Sequence, residues 1–575
     1  MAVLGAAFQI GRSALAAYQA AIAVTGQNVA NVGNPNYTRQ TGHLDALPGA
    51  VQPAGISPGT GVSMSTLERH IDEALEGRLR LALAQREGAN TKYQALNQVE
   101  TLYSELTDHD LSSQLNDLFS SFANLQTDPL EPTARDQVIA KADAVIDTMQ
   151  RQRTGLLTQI SDLNDQTEAA VRDINAKTAE IADLNQRIVA SGASGTGGDS
   201  ALRDRRDTLL RDLAKLMDVQ TREQQNGVVN VYIGSEPLVE YSRARSLTTK
   251  ATIADGVQRA DVRFADSNGT VPIRDGRLAA IAEARDTHLA GQLSRLDQLA
   301  KGLIYEVNRV HSAGQGLVGY TSISGTYAVG DAVAPLNSAA AGLPFPVQNG
   351  TFLVQVRDQN SGQTTTRMIK VDLNGLPDAG TPGGGDTSLN VLARVLGEVP
   401  GLHAAVTPDN RIQIDADPGL QVSFSEDTSG ALAALGIGTF FEGTNASTLA
   451  VNAVVRSDPQ LIATSLNGAP GDGSNAGRLA AVGTTASTLL GGRSVQDYQA
   501  SMINQLAVDT AAAKTTYDAN DAVYSGLSAQ REAVSGVNLD EETINLTMFE
   551  QAFQGVSRYV NVLNTLSASV LALVQ

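Results

Sequence analysis

The chain contains no cysteine and no tryptophan. The first absence excludes disulfide staples, thiolate catalysis and cysteine-based metal sites together. Aromatic residues are only 4% of the 575 residues, against an ordinary apolar fraction of 42%. Small apolar side chains must therefore carry much of the burial, which suits long Ala-rich helices that approach closely. Positive charge is also scarce: 42 Lys and Arg stand against 61 Asp and Glu, a net charge of −19. Nucleic-acid binding needs clustered basic residues, so no nucleic-acid partner is expected. No run of about 18 apolar residues occurs, so no membrane-spanning helix is expected either. The first thirty residues contain Ala-X-Ala runs, but Gln9, Arg12, Gln19, Gln27 and Asn28 interrupt them and no basic start precedes them. A cleaved secretory signal is not expected there. A chain of this length is expected to form three to four domains, each with its own core.

Catalytic patterns are missing as well. The six histidines, His43, His70, His109, His288, His311 and His403, are scattered, and none has a second histidine three or four residues away. No zinc-protease, phosphate-loop or nucleophile-elbow motif occurs. Asp415, Asp417 and Glu426 match positions 1, 3 and 12 of a calcium loop, but Leu420 stands where that loop needs glycine to turn. Gly195, Gly197 and Gly198 follow no strand and read as a linker. Arg203, Arg205 and Arg206 alternate with Asp204, Asp207 and Asp212 along a helix expected over 201–216, which reads as a solvated face. No catalytic, cofactor-binding or metal-ligating residue is expected, and the chain is not expected to be an enzyme.

What the sequence does contain is an amphipathic helix at each end. Leu4, Phe8, Leu15, Tyr18, Ile22, Val29 and Val32 recur in three- and four-residue steps, broken only at Gly11 and Thr25. Leu539, Leu546, Phe549, Phe553, Val556, Val560, Leu563, Val570 and Val574 do the same, broken at Glu542 and Ser567. A period near 3.5 is the coiled-coil seam, and each end is the other's obvious partner. Residues 1–60 and 533–575 are therefore expected to form one terminal coiled-coil assembly domain. Helical patterns over 67–106, 132–189, 276–311 and 494–532 predict a helical body from 61–320 and 444–532, with a small β element near 228–265. Between 321 and 443 the period changes to two. Phe352, Val354 and Val356, then Ile369, Val371 and Leu373, alternate with other residues about an Asn360-Ser361-Gly362 turn. A helix over 387–399 and strands at Ile412, Ile414, Val422 and Phe424 complete an inserted α+β outer domain. Its Gly-rich flanks, 314–330 and 436–443, are expected to let it pivot. The fold class is mainly α with an α+β insert, in a rod-like outline.

The segment Gln27-Asn28-Val29-Ala30-Asn31-Val32-Gly33-Asn34-Pro35-Asn36-Tyr37-Thr38-Arg39-Gln40 resembles the N-terminal signature of the flagellar rod, hook and hook-associated axial protein family. Its motif positions are Asn28, Asn31, Pro35, Asn36, Tyr37, Thr38, Arg39 and Gln40. The chain departs from that pattern at Gly33, Asn34 and Asn36, the last a residue that tolerates a left-handed turn. Ser535 to Glu542, followed by Phe549-Glu550-Gln551-Ala552-Phe553, is similar to the family's C-terminal signature. Leu202 to Leu210, Asn308-Arg309-Val310-His311 and Asp472 to Ala476 are similar to its hook-associated branch. The resemblance implies a structural subunit of the flagellum at the junction between hook and filament. It implies a ring of copies touching the hook protein and the next hook-associated protein towards the filament. It also implies extracellular delivery through the flagellar type III apparatus without signal cleavage, and an export chaperone at the C-terminal helix. The alternatives are another axial protein, such as the hook protein, or a binding or enzymatic module carried in the insert.

Overall fold

The structure, a computed structural model, describes residues 2–49, 59–103, 110–193, 199–254, 256–376 and 385–574. Gly195, Gly197, Gly198 and the side chain of Val574 lie outside the described residues. The chain divides into two compact units. One comprises Met1–Ala95, Asp162–Ala284 and Ala511–Gln575, the other Leu96–Ser161 and Arg285–Thr510. The long helix Pro132–Ala193 contributes to both. Proline at its first position costs no hydrogen bond, because that N–H has no partner within the helix anyway. Its apolar stripe, Leu156, Ile160, Leu163, Ile174, Ile181, Leu184 and Ile188, is buried throughout.

In the unit that holds both termini, the helices Ala2–Ala30 and Leu539–Val574 join the end of Val495–Ser535 and the start of Glu73–Tyr103. Ser200–Leu216 packs its Leu209, Leu210 and Leu213 beneath a four-stranded antiparallel sheet whose second strand is Val229–Ile233. The long helix holds this β region through three asparagines. Asn164 donates to Gln258 O and accepts from Ala260 N, both at 2.9 Å. Asn175 makes both bonds to the backbone of Leu247, at 2.9 and 2.8 Å. Asn185 does the same to Val229, at 2.8 and 3.1 Å. A carboxamide carries the donor and acceptor of a peptide group, so each asparagine stands in for a neighbouring strand.

Two expectations fail in this unit. Residues 67–69 are not helical; they end a strand, Gly61–Arg69, that pairs antiparallel with Gln40–Leu47. The helix begins only at Glu73, where Asp72 accepts from Ala74 N and Leu75 N. The Ser/Thr-rich run Val62 to Thr66 suits a half-buried strand better than a first helical turn. The alternating charges on Ser200–Leu216 are not a solvated face. Arg206 is 1% exposed and donates to Gly227 O at 2.6 Å, while Asp204 and Asp207 both hold Arg69.

The other unit contains the β-rich segment. Gly350–Asp358 sits between Thr364–Val371 and Leu420–Ser425, and Leu402–Val406 pairs with Ile412–Ala416, which pairs with Ser322–Ser324. The turn after Gly350–Asp358 forms where the sequence predicts it. Asp358 accepts from Asn360 N and Ser361 N, and Gly362 takes φ +72°. Phe352, Val354, Val356, Ile369, Val371, Val422 and Phe424 line the buried face, with Leu389, Leu392 and Leu396 from the helix Leu389–Gly397. Asp415 accepts from Ser322 Oγ, and Asp417 meets His403 Nε2.

The Gly-rich flanks are clamped rather than free. Gln315 and Ser465 exchange both backbone bonds, as do Tyr320 and Val422. Asn308, fully buried, accepts from Phe440 N and Phe441 N and donates to Phe441 O at 2.9 Å. His311 Nδ1 donates to Gly438 O at 2.8 Å, and its Nε2 accepts from Ala463 N at 3.0 Å. Burial keeps this imidazole neutral and lowers its pKa to about 4, against 6.5 ordinarily. The unfolded chain takes up the proton first, so acid favours unfolding. This contribution is complete above about pH 6.5 and is lost as pH falls towards 4, by on the order of 3 kcal/mol. In urea unfolding of the full chain, His311→Gln is expected to shrink the loss of stability between pH 7 and 4.5. An unchanged pH dependence would contradict it.

Candidate assembly site

The terminal helices pair antiparallel, since Asn28 meets Glu542 near one end and Gly11 meets Val560 near the other. The residues of the N-terminal helix most deeply buried are small ones: Gly11, Ala14, Ala17, Ala21, Thr25 and Asn28. A Cβ on Gly11 would lie 2.6 Å from Val560 Cγ2, so glycine is what lets the helices approach there. Leu4, Phe8, Leu15, Tyr18, Ile22 and Val29 flank this stripe and are half-buried, while Val32 is exposed. On the C-terminal helix Leu546, Phe549, Phe553, Val556 and Val560 are half-buried and Leu563 is buried. Val570 instead lies on an exposed stripe with Ile544, Met548, Tyr559, Val562 and Leu566.

Gly11, Thr25 and Glu542, three of the four residues that break the two apolar seams, are thus among the most buried of the pair, while Ser567 is half-buried. Size explains the first two. Glu542, 2% exposed, is explained by its partners. Asn28 donates to Glu542 Oε2 at 3.0 Å and to Gln40 O at 2.8 Å, and accepts from Tyr37 OH at 2.7 Å and Gln40 N at 3.1 Å. Every bond an asparagine side chain can make is made. Arg39 Nε donates to Glu542 Oε1 and its Nη1 meets Glu541, each at 2.8 Å. Burial, with Asp204 and Glu542 nearby, pushes the Tyr37 phenol up to about 12, so it stays a donor.

The remaining motif residues join this clasp to the rest of the unit. Arg69 reaches Thr38 Oγ1 at 3.5 Å while binding Asp204 and Asp207. Pro35 O accepts from Arg531 Nη1 at 2.8 Å, and Arg531 Nε donates to the buried Glu76 at 3.2 Å. Asn36 does not adopt a left-handed turn. Gly33 takes that conformation, at φ +75°, and Asn36 Oδ1 accepts from Arg211 at 3.2 Å. Asn31 donates to Gln27 O at 2.9 Å, closing the helix end. Arg69, Glu76, Asp204, Asp207, Arg211 and Arg531 are not marked by sequence spacing, because their partners lie far away in the chain.

Charge on the pair is concentrated at the start of the C-terminal helix, in Asp540, Glu541, Glu542 and Glu550, and is sparse elsewhere. Arg12 is the only charged side chain from Met1 to Ala30, and Arg558 the only one from Gln551 to Gln575. A shallow groove of about 910 Å³, bordered by Phe8, Arg12, Leu15 and Val560, runs along it. Among the described residues no cluster of three potential metal ligands occurs, and no helix is long and apolar enough to cross a membrane.

Residues 96–324 match the family model described as "Flagellar hook-associated protein FlgK helical domain". Flagellar hook-associated protein 1 of Escherichia coli K12 is 27% identical over 565 residues, covering 96% of this chain and 97% of that protein. Its counterpart in Salmonella typhimurium is 26% identical, with 97% and 98% covered, and that of Bacillus subtilis 24%, with 98% and 97% covered. A solved flagellar hook junction protein from Burkholderia pseudomallei matches with a TM-score of 0.49 at 16% identity, over 80% of this chain and 100% of that one. Over almost its whole length the chain is thus similar to flagellar hook-associated protein 1, a structural protein of the bacterial flagellum.

Proposed function

We infer that the chain is a structural subunit of the flagellum that builds the junction between hook and filament, and that it catalyses no reaction. The observation that carries the assembly role is the terminal pair: its inner seam is closed, yet Ile544, Met548, Tyr559, Val562, Leu566 and Val570 stay exposed, the last four on a stretch whose only charged residue is Arg558. An apolar face of this extent is costly to leave in water and marks a contact surface. Copies of the chain meet in a ring, with the hook protein on one side and the next hook-associated protein on the other. Before assembly the same stripe needs cover, which an export chaperone on the C-terminal helix supplies. The chain leaves the cell through the flagellar type III apparatus without signal cleavage. Residues 321–443 form an inserted α+β domain of the subunit. Deleting the gene and examining hooks, filaments and secreted flagellin tests this reading.

A further inference from the structure

The apolar seams cannot by themselves choose how the terminal helices align. Phe8, Leu15, Ile22 and Val29 are seven residues apart, and so are Leu4, Gly11, Tyr18, Thr25 and Val32. On the C-terminal helix Leu546, Phe553 and Val560 repeat in the same way, as do Phe549, Val556 and Leu563. A slip of one heptad, about 10 Å along the axis, again sets apolar residues against apolar residues. Only features that do not repeat can make the alignment unique.

We propose that Glu542, held by Asn28 and Arg39, is the residue that fixes the register in which the two ends of the chain pair. Its carboxylate is 2% exposed and both its oxygens are bonded, one to Asn28 and one to Arg39. Sliding by one heptad in one direction carries it alongside Ala21, which is 3% exposed and offers no donor. In the other direction it moves beyond the helix end, while Phe549 comes against the amide of Asn28. The first slip buries an unpaired charge and the second strands a buried amide, so both are strongly disfavoured. One buried polar residue in an apolar seam thus acts as a register key. Arg39 is itself fixed from the same side, its N–H donating to Ser535 O at 2.9 Å. The motif turn and the start of the C-terminal helix therefore align as one piece. Glu542 is a positioning residue: it selects among alignments that match in apolar pattern, and Gly11, whose close approach to Val560 has no counterpart at Leu4 or Tyr18, favours the same one.

The absence of native cysteine makes the alignment directly readable. In the full chain, Gly11→Cys is combined with a second cysteine at 560, 553 or 567, the last two arms carrying Val560→Ala to make room. Each is oxidised, and disulfide formation is measured by mass spectrometry. With Glu542 present, only the 560 pair is expected to close. With Glu542→Leu, the 553 or 567 pair should close at a yield comparable to that at 560. Glu542→Gln, which still accepts from Asn28, should restore the single pair. The proposal is overturned if the Glu542→Leu chain still closes only at 560. It is equally overturned if that chain closes nowhere, since Glu542 would then support pairing without selecting its register. Closure at 553 or 567 with Glu542 intact would overturn it too.

Discussion

Phe553→Asp is expected to abolish filament growth while leaving the unit built from Leu96–Ser161 and Arg285–Thr510 folded. Phe553 lies in the half-buried seam of the C-terminal helix, facing a partner helix whose buried stripe is alanine, glycine and threonine. The substitution removes aromatic packing and puts a carboxylate where it must be desolvated or the seam must open, a cost on the order of several kcal/mol. An isolated helix gains little from its own hydrogen bonds, so the C-terminal helix depends on that packing. Val560→Asp is the weaker test, because Arg12 borders the same groove and can answer the charge. Cells expressing Phe553→Asp should carry bare hooks and release flagellin, while the purified chain keeps the unfolding midpoint of its second unit. Normal filaments on this variant would show that the seam is not an assembly contact.

Arg135→Met is expected to destabilise the second unit by about 4 kcal/mol or more. Arg135 is 1% exposed and donates to Pro129 O at 2.7 Å, Pro459 O at 3.1 Å, Ile462 O at 2.9 Å and Thr464 Oγ1 at 3.2 Å. Burial lowers its pKa to about 10, which leaves it charged at neutral pH. It thus pins residues 459–464 to the start of the long helix through backbone carbonyls and one hydroxyl, with no carboxylate partner among the described residues. Methionine fills much of the volume but leaves several buried acceptors unpaired, each at a cost of about 1–3 kcal/mol. Arg135→Lys, with a compact charge and fewer aligned donors, should fall between. Urea unfolding of the full-length variants measures all three, and a loss below about 1 kcal/mol for Arg135→Met would contradict this account.

Periodicity made the long elements legible. The helices ending at Ala193 and Val574, and the hairpin over 350–371, follow from period 3.6 or 2 and from turn chemistry at Asp358 and Gly362. The strands Gln40–Leu47 and Gly61–Arg69 were not legible, because they carry too few apolar residues to alternate. The asparagines that read strand backbone, Asn164, Asn175, Asn185 and Asn308, leave no periodic trace either. A carboxamide that copies a peptide group looks like any other polar residue until its partner is known. The assembly site was half visible. Its apolar flanks stood out, but its deepest positions, Gly11, Thr25 and Glu542, registered as interruptions. Small residues at close approach and a buried charge with distant partners both look like defects in a hydrophobic pattern. The motif Asn28 to Gln40 was recognisable by resemblance alone, and its physical reason lies in residues 531–542, some five hundred positions later.

The central claim is that this chain forms the seat on which the filament is built. It is tested most directly by deleting its gene and measuring unpolymerised flagellin in the culture medium alongside electron micrographs of the cells. The account predicts hooks of normal length without filaments and flagellin monomer in the medium, both reversed by the intact gene in trans. Full-length filaments still attached to hooks in the deletion strain would contradict it.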